Sequence, residues 1–234
     1  MRIMVVLGAY PPEEMERRRQ AIERCASPGS EIVLGIIDAT VFRRSNSEVN
    51  ALTAAPLVAA KAKEAEEAGI DAVVPFGTLD IGVELARHLV KIPVVGAAQS
   101  TFHLAATLSQ RLGIISYERT SIPFTRKNAR TWGVEHLVVS WQSIETPLVA
   151  SAAEHAPMRE RLLTCARQAI QDGAELIFPQ GVTMVPVHYS AREIAQEIGV
   201  PVLDALAISI QTAELMVRTG LSHSPLTYPP VASL

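Results

Sequence analysis

Short runs of Val, Ile and Leu alternate along the chain with longer segments in which apolar residues recur every three or four positions. The short runs predict strands that are buried on both faces, and the longer segments predict amphipathic helices. Regular alternation of the two indicates parallel sheets, because parallel strands need a crossover connection, which is usually a helix. The pattern therefore predicts an α/β fold in which helices cover parallel sheets.

The predicted elements account for most of the chain. Strands are predicted at Ile3–Leu7, Glu31–Ile37, Ala72–Val74, Pro93–Val95, Gly113–Ser116, His136–Val139, Glu175–Phe178 and Val200–Leu203. Helices are predicted at Pro12–Cys25, Pro56–Ala68, Asp80–Leu89, Thr101–Arg111, Pro157–Asp172, Ser190–Ile198 and Ala205–Thr219. The stretch between the fifth and sixth strands has no predicted element.

Two segments of the chain resemble each other. Gly69–Gly77 and Gly173–Gly181 both end a helix, continue as an apolar strand and close on Pro-x-Gly. A helix and a further strand with an early proline follow each copy. Such a repeat predicts two similar structural units.

We expect these units to be two pseudo-symmetric Rossmann-like lobes, the first formed by residues 1–96 plus 205–234 and the second by 97–204. Ligands of open α/β sheets bind at the carboxyl ends of the strands, where the Pro-x-Gly loops lie. We therefore expect an active-site cleft between the lobes. The alternative is that Pro-x-Gly only terminates the strands.

Composition and charge narrow the function classes. With 48% hydrophobic and 19% charged residues, the chain can bury a core. The formal net charge of −3 and the scattered basic residues argue against a nucleic-acid partner. No apolar run is long enough for a membrane span, and the N-terminus predicts a strand rather than a signal peptide. We expect a cytoplasmic homo-oligomer that binds a small-molecule substrate and has no membrane partner.

The cysteines and histidines suggest neither a disulfide nor a metal site. Cys25 and Cys165 both fall in predicted helices, where a free, buried thiol is the expected state. The six histidines lack the close spacing that is typical of metal ligands. We therefore assign no metal and no other cofactor, and the alternative is a metal held by scattered ligands such as His188 and Glu118.

Segments spread over nearly the whole chain carry a family resemblance. They are Ser27–Ile32, Glu64–Ala72, Pro93–Gly96 and the tail from Ala213 through Pro230. In their order and spacing they resemble the hydantoin/allantoin racemase branch of the aspartate/glutamate racemase superfamily. The resemblance implies two lobes, each presenting a catalytic cysteine at a strand end, so that two thiols flank the substrate carbon.

The two catalytic cysteines of that family are absent from this chain. Their loops are Cys-Phe-Gly-Asp-Pro-like and Gly-Cys-Ala-Gly-Met-like, and the match places Pro75 at the first cysteine and Gly181 at the second. Neither residue can take a proton, so the two-thiol mechanism cannot operate. Cys25 and Cys165 do not replace the missing thiols, because both belong to helices away from the strand ends.

The strand-end loops remain candidates for substrate binding. Their backbone N–H groups could hold a carboxylate or oxyanion, and two threonine hydroxyls could add donors or instead cap helices. The resemblance further implies substrate contacts from Gln99 and Ser116. The complete set of substrate-binding candidates is Phe76, Gly77, Thr78, Gln99, Ser116, Tyr117, Gln180, Gly181, Val182 and Thr183.

Acid–base chemistry then depends on other titratable residues near the strand ends. His188 and Glu118 are the leading candidates, followed by Tyr10. Histidine suits this role because its ordinary pKa is about 6.5. The alternatives are a histidine that caps a helix and a glutamate exposed to solvent.

Three functions remain open from the sequence. The first is a thiol-independent enzyme that acts on a small carboxylate or cyclic amide, with hydrolytic ring opening favoured because one base that activates water suffices. The second is an isomerase, racemase or lyase that works through a stabilised carbanion. The third is a non-catalytic metabolite-binding protein.

Overall fold

The computed structural model describes residues 1–38, 48–146 and 155–231. The chain forms two compact units. The first contains the N-terminal segment, Val49–Ser100 and the C-terminal segment from Leu206, and the second contains Thr101–Ala205. Each unit has a three-stranded parallel sheet. The predicted α/β class with parallel sheets is confirmed.

The first unit has the sheet order β2-β1-β3. Its elements are β1 (Arg2–Gly8), α1 (Pro12–Cys25), β2 (Glu31–Ile37), α2 (Glu48–Glu67), β3 (Ala72–Pro75), α3 (Val83–Arg87), the first turn of α4 (Ala97–Leu108) and α8 (Ala205–Thr219). Every residue of β3 is buried, as expected for a strand with helices on both faces.

The second unit has the equivalent order β5-β4-β6. Its elements are the rest of α4, β4 (Leu112–Ser116), α5 (Ile122–Thr131), β5 (Val138–Ser143), α6 (His155–Gln171), β6 (Leu176–Gln180) and α7 (Ala191–Ile198). Short 3₁₀ turns lie at Arg119–Ser121 and Glu135–Leu137, and an irregular π-helical segment spans Thr183–His188.

The sequence repeat corresponds to a repeat of backbone hydrogen bonds. The Asp71 N–H donates to the Arg2 carbonyl at 2.9 Å, which starts the pairing of β3 with β1. In the second unit, the Glu175 N–H donates to the Arg111 carbonyl at 2.8 Å and starts the pairing of β6 with β4. The glycines before these strands, Gly69 and Gly173, both have positive φ angles. The same local signals therefore produce the same strand entry twice.

Two predicted strands are only single bridges. Pro93–Val95 pairs with β3 through Val94, and Val200–Leu203 pairs with β6 through Val202. The proline in each segment has no N–H to donate, so neither segment forms a longer ladder. The prediction of full strands at these two segments was therefore wrong.

Further elements differ from the prediction, among them α3, which covers only Val83–Arg87, and α4, which begins at Ala97 rather than at Thr101. α2 starts at Glu48 rather than at Pro56, because buried Ala51 and Ala54 pack its first turns despite the internal proline. α5 was not predicted, since few apolar residues mark its buried face. β5 starts two residues late and continues through polar residues, which an edge strand tolerates.

α8 is fastened to the loop between α1 and β2 by a buried carboxylate. Glu214 is fully buried and accepts hydrogen bonds from the backbone N–H of Ser27, at 2.8 Å, and from its hydroxyl. Burial raises the pKa of Glu214, but these bonds and one from Ser30 outweigh it and hold the pKa below its ordinary value. Two of the segments that carried the family resemblance are therefore in direct contact.

The cysteines lie where the helical pattern placed them. Cys25 is on α1 and Cys165 on α6, and neither forms a disulfide. Burial raises the pKa of the Cys165 thiol, which disfavours the reactive thiolate. None of the helices in the described parts of the chain is long and apolar enough to cross a membrane.

Candidate functional site

The strand order of each sheet predicts where a ligand binds in that unit. In the order β2-β1-β3, the chain passes from β1 to β2 on one side of the central strand and then crosses to β3 on the other side. A crevice therefore opens beyond the carboxyl ends of β1 and β3. The same argument applies to β4 and β6 in the second unit. The loops after these four strands contain nearly all of the candidate residues.

The loop after β3 contains Phe76, Gly77 and Thr78. The Phe76 N–H donates to the Val6 carbonyl at 2.7 Å, so this group already has a backbone partner. Gly77 has φ +147°, a conformation that side-chain-bearing residues rarely adopt. Thr78 is buried. The loop is a fixed backbone turn at the expected end of the sheet.

Asp80 ties this loop to the start of α4. Its two carboxylate oxygens accept hydrogen bonds from the backbone N–H groups of Ala98 and Gln99, each at 2.8 Å. A Cβ at Gly96 would lie 2.3 Å from this carboxylate, so glycine is required there. Burial raises the pKa of Asp80 to about 6, although the two N–H groups lower it. The carboxylate thus neutralises the positive end of α4.

Arg87, on α3, fixes the side chain of Gln99. Its Nη2 donates to the Gln99 Oε1 at 2.9 Å, and its Nε donates to the Val94 carbonyl at 3.1 Å. Its Nη1 donates to Glu84 and to the Tyr228 hydroxyl, both at 3.1 Å. The arginine is only 7% exposed. A single guanidinium therefore joins α3, α4 and the C-terminal segment.

Tyr10 follows β1 and packs against a buried arginine. The guanidinium carbon of Arg18 lies 3.7 Å from the centre of the Tyr10 ring, a cation–π contact. Arg18 also forms an ion pair of 2.5 Å with Glu14 on the same helix. These contacts hold the tyrosine ring in place, while the residue stays partly exposed.

In the second unit, a buried chain of neutral side chains joins β4, β6 and α5. The Ser116 hydroxyl donates to the Gln180 Oε1 at 2.8 Å, and the Gln180 Nε2 donates to the Thr125 hydroxyl. All three side chains are at most 5% exposed. Ser116 and Gln180 thus contact each other, and their role in substrate binding remains a prediction.

Tyr117 occupies the space beside Gly181. A Cβ built on Gly181 would lie 2.3 Å from Cε2 of the Tyr117 ring and 3.1 Å from the methyl group of Met184. Tyr117 is only 2% exposed and belongs to the core of its unit. A cysteine at position 181 would therefore collide with the tyrosine ring. Pro75, which the family match places at the other cysteine, is the last residue of β3.

The candidate acid–base residues of this unit lie just beyond the strand ends. His188 ends the π-helical segment that begins at Thr183, and its ring lies 6.2 Å from that of Tyr189. Val182 is buried next to Gly181. Glu118 follows β4 and accepts a hydrogen bond from the Thr120 hydroxyl at 3.2 Å. Both His188 and Glu118 are partly exposed, as acid–base groups need to be.

Within residues 1–38, 48–146 and 155–231, no three His, Cys, Asp or Glu side chains form a group that could hold a metal ion. Sequence reasoning missed Arg87, Arg18 and Thr125. Arg87 and Thr125 lie in helices whose pattern shows only a buried or exposed face, and Tyr228 and Gln180, which they contact, are distant in the sequence. No local signal identifies them.

Comparisons with known proteins agree with this architecture. The hydantoin racemase of Rhizobium meliloti is 29% identical over 172 residues, which cover 72% of this chain and 69% of that protein. The allantoin racemase of Pseudomonas fluorescens superposes with a TM-score of 0.85 at 24% identity, covering 100% of this chain and 98% of that one. The maleate isomerase of Pseudomonas putida S16 is more distant, with a TM-score of 0.63 at 12% identity over 94% of this chain and 93% of the other.

The family model described as Asp/Glu/Hydantoin racemase matches residues 13–213, which is most of the chain. The matched part contains β2 to β6 and the loops after β3 and β6, and β1 precedes it. The protein therefore belongs to the Asp/Glu/Hydantoin racemase family.

Proposed function

We propose that the protein is a thiol-independent isomerase or lyase. It forms a carbanion beside a carbonyl group of a small carboxylate or cyclic amide and then reprotonates it. Family membership supports the enzyme class, and the maleate isomerase neighbour indicates that the fold accommodates more than racemisation. Hydrolytic ring opening, the reaction favoured from the sequence, finds no support among these relatives.

The observation that carries the proposal is the Tyr117 ring beside Gly181. The ring fills the position that a cysteine Cβ would need, at a separation of 2.3 Å. The space of the missing thiol is thus filled by the Tyr117 ring, so the single substitution Gly181→Cys would not restore a working thiol. Proton transfer must therefore use an oxygen or nitrogen acid, from the partly exposed residues near the strand ends.

His188 is the first candidate for this acid–base group, with Glu118 and then Tyr10 in reserve. His188 follows the Gly181 loop, and Glu118 follows β4, so both flank the crevice that the strand order predicts in the second unit. Candidate hydrogen-bond donors for the developing negative charge are the loop residues after β3 and β6, including Thr78 and Thr183.

Hydrogen exchange in D2O tests the reaction class directly. The protein is incubated with hydantoins, allantoin, amino acids, malonates and maleate, and proton NMR follows each carbon-bound hydrogen. A carbanion mechanism replaces that hydrogen, or a lost carboxyl group, with deuterium. Ring opening without exchange would favour a hydrolase, and binding without turnover would favour a metabolite-binding protein.

Substitution then tests the acid–base assignment. We expect His188→Gln to lower kcat by roughly 10²-fold with little loss of stability, because one proton-transfer group is removed. His136→Gln is the matched control, since His136 is exposed in the same unit. If His188→Gln and Glu118→Gln both retain near-normal turnover, the assignment is wrong, and Tyr10 and the threonine hydroxyls are tested next.

A further inference from the structure

We propose that Arg87 is a positioning residue that orients the Gln99 side chain towards the ligand. Gln99 then presents its N–H groups to a neutral carbonyl oxygen. This inference rests on the proposed function and concerns the first unit. It extends that proposal by identifying a residue outside the strand-end loops and by stating the chemistry of the group that it serves.

Arg87 has a geometry that suits several partners at once. A guanidinium has five donors in a fixed plane and no acceptor. Here they reach the Val94 carbonyl, Glu84, the Tyr228 hydroxyl and the Gln99 Oε1. A lysine has one charged nitrogen and could not reach all of these partners. The arrangement is therefore specific for arginine rather than for positive charge.

The contact with Arg87 defines the orientation of the Gln99 amide. Since arginine only donates, the atom of Gln99 that faces it at 2.9 Å must be the oxygen. The Gln99 backbone N–H is held by Asp80 at 2.8 Å. With both its backbone and its amide oxygen held, Gln99 has a defined rotamer, and its NH2 group points away from Arg87. Position 99 is therefore a pre-organised hydrogen-bond donor.

Gln99 lies at the edge of the sheet where the strands of the first unit end. It lies in the first turn of α4, just after the segment whose Val94 bridges to Val73 of β3. The carboxyl ends of parallel neighbours meet at one edge of a sheet, so Gln99 shares that edge with the loop Phe76–Thr78. Asp80 joins this loop to the helix directly.

The charges near Gln99 are balanced. The Asp80 carboxylate already occupies the N-terminus of α4, where a substrate carboxylate would otherwise bind. The charge of Arg87 is compensated by Glu84, at 3.1 Å. The positive charge beside the Gln99 amide oxygen is therefore offset by a carboxylate. A neutral amide carbonyl fits this position better than a carboxylate.

A double-substitution cycle tests the positioning role on a substrate found by the exchange assay. We expect Arg87→Lys and Gln99→Ala each to lower kcat/KM by about tenfold, the loss of one directed hydrogen bond. Because Arg87 acts through Gln99, the double variant should lie within about twofold of either single variant. Ser222→Ala is the control, since it removes a hydrogen bond of the C-terminal segment to Lys91 without touching Arg87. Multiplicative losses would overturn the proposal.

A binding experiment decides the case even if no compound exchanges and the proposed function fails. The side-chain N–H signals of Gln99 are assigned in ¹⁵N-labelled protein by their disappearance in Gln99→Ala. Hydantoin and malonate are then titrated separately. We expect hydantoin to shift these signals and Arg87→Lys to weaken its binding by about tenfold. No shift with hydantoin, or a stronger response to malonate, would overturn the inference.

Discussion

The loops after β3 and β6 follow equivalent strands in two similar sheets, but they are held in different ways. In the first unit the loop is held by charges: Asp80 accepts two N–H groups of α4, and Arg87 reaches the neighbouring Gln99. In the second unit the end of β6 is held by the neutral side chain of Gln180 and by the packed ring of Tyr117. Repetition of a strand frame therefore does not impose repetition of its polar contacts.

This difference has a physical consequence for each unit. A charged anchor titrates, so contacts of the first unit depend on pH. A neutral chain of hydroxyl and amide groups does not titrate between about pH 4 and pH 7. Its interruption still lowers the free energy of unfolding, because its members are buried. The predictions below separate the two kinds of anchor.

The largest expected effect comes from the two equivalent glycines. We expect Gly181→Ala to lower the free energy of unfolding by about 2 to 3 kcal/mol, because the new Cβ collides with the buried Tyr117 ring. Gly77→Ala should cost only about 1 kcal/mol, since a Cβ there meets no atom and only the positive φ opposes it. Urea unfolding of both variants measures the difference, and equal losses would contradict the steric explanation.

The neutral chain gives the next effect. Gln180→Leu keeps the volume of the side chain but removes the acceptor of Ser116 and the donor to Thr125. We expect a loss of about 2 kcal/mol, nearly the same at every pH from about 4 to 7. Thr120→Val, a change at an exposed position of the same unit, is the control. A loss that changes strongly with pH would show that a titrating group is involved.

The charged anchor should give a pH-dependent effect on the order of 1 to 2 kcal/mol. The raised pKa of Asp80, about 6, means that the folded state binds the extra proton, so stability is lost as pH rises from its ordinary pKa through that value. Burial, aided by Arg87, lowers the pKa of His223 to about 4, and the Val94 N–H donates to its Nε2 at 2.8 Å. For this histidine, stability is lost as pH falls from its ordinary pKa towards that lower value.

The contributions of Asp80 and His223 to the free energy of unfolding therefore change with pH in opposite directions between about pH 4 and pH 6. We expect His223→Gln to leave the Asp80 slope, with stability falling as pH rises, because glutamine can still accept from Val94. Asp80→Asn should leave the opposite slope. Urea unfolding at several pH values, with the wild type subtracted, isolates each contribution. Identical slopes in the two variants would contradict this assignment.

The smallest expected effect is that of the thiols. Cys25 and Cys165 lie on α1 and α6, and neither belongs to a strand-end loop. We expect Cys25→Ala and Cys165→Ala, alone or together, to stay within about twofold of the parent turnover, with a stability loss of about 1 kcal/mol or less. Alkylating reagents should also spare the folded protein. Loss of turnover in a folded Cys25→Ala variant would overturn the thiol-free mechanism.

The frame of the fold followed from local signals. α1 and α8 match their predicted bounds, because the apolar spacing of each helix, and the proline at the start of α1, are signals within one segment. The repeated entry into β3 and β6 was visible as two similar glycine-led segments. The prediction failed for α5, where Thr125 and Ala129 form the buried face and no apolar stripe exists. It also failed at Pro93–Val95, since one bridge is all that this strand forms.

The candidate site was predictable only in part. The sequence identified the two loops and the absence of thiols, because strand ends and motif residues are local features. It could not identify Arg87 as the partner of Gln99 and Tyr228, since Tyr228 is 141 residues further along the chain. A helical pattern shows which face is buried, but it does not show which polar groups meet there.

By itself, then, the sequence determined the α/β class, the two parallel sheets, the family and the loss of both cysteines. Each of these depends on residue type and spacing within short segments. Only the tertiary structure decided that Asp80 binds the start of α4, that Gln180 joins Ser116 to Thr125, and that Tyr117 fills the space beside Gly181. These contacts depend on distances between segments that only packing brings together, and sequence periodicity carries no information about such distances.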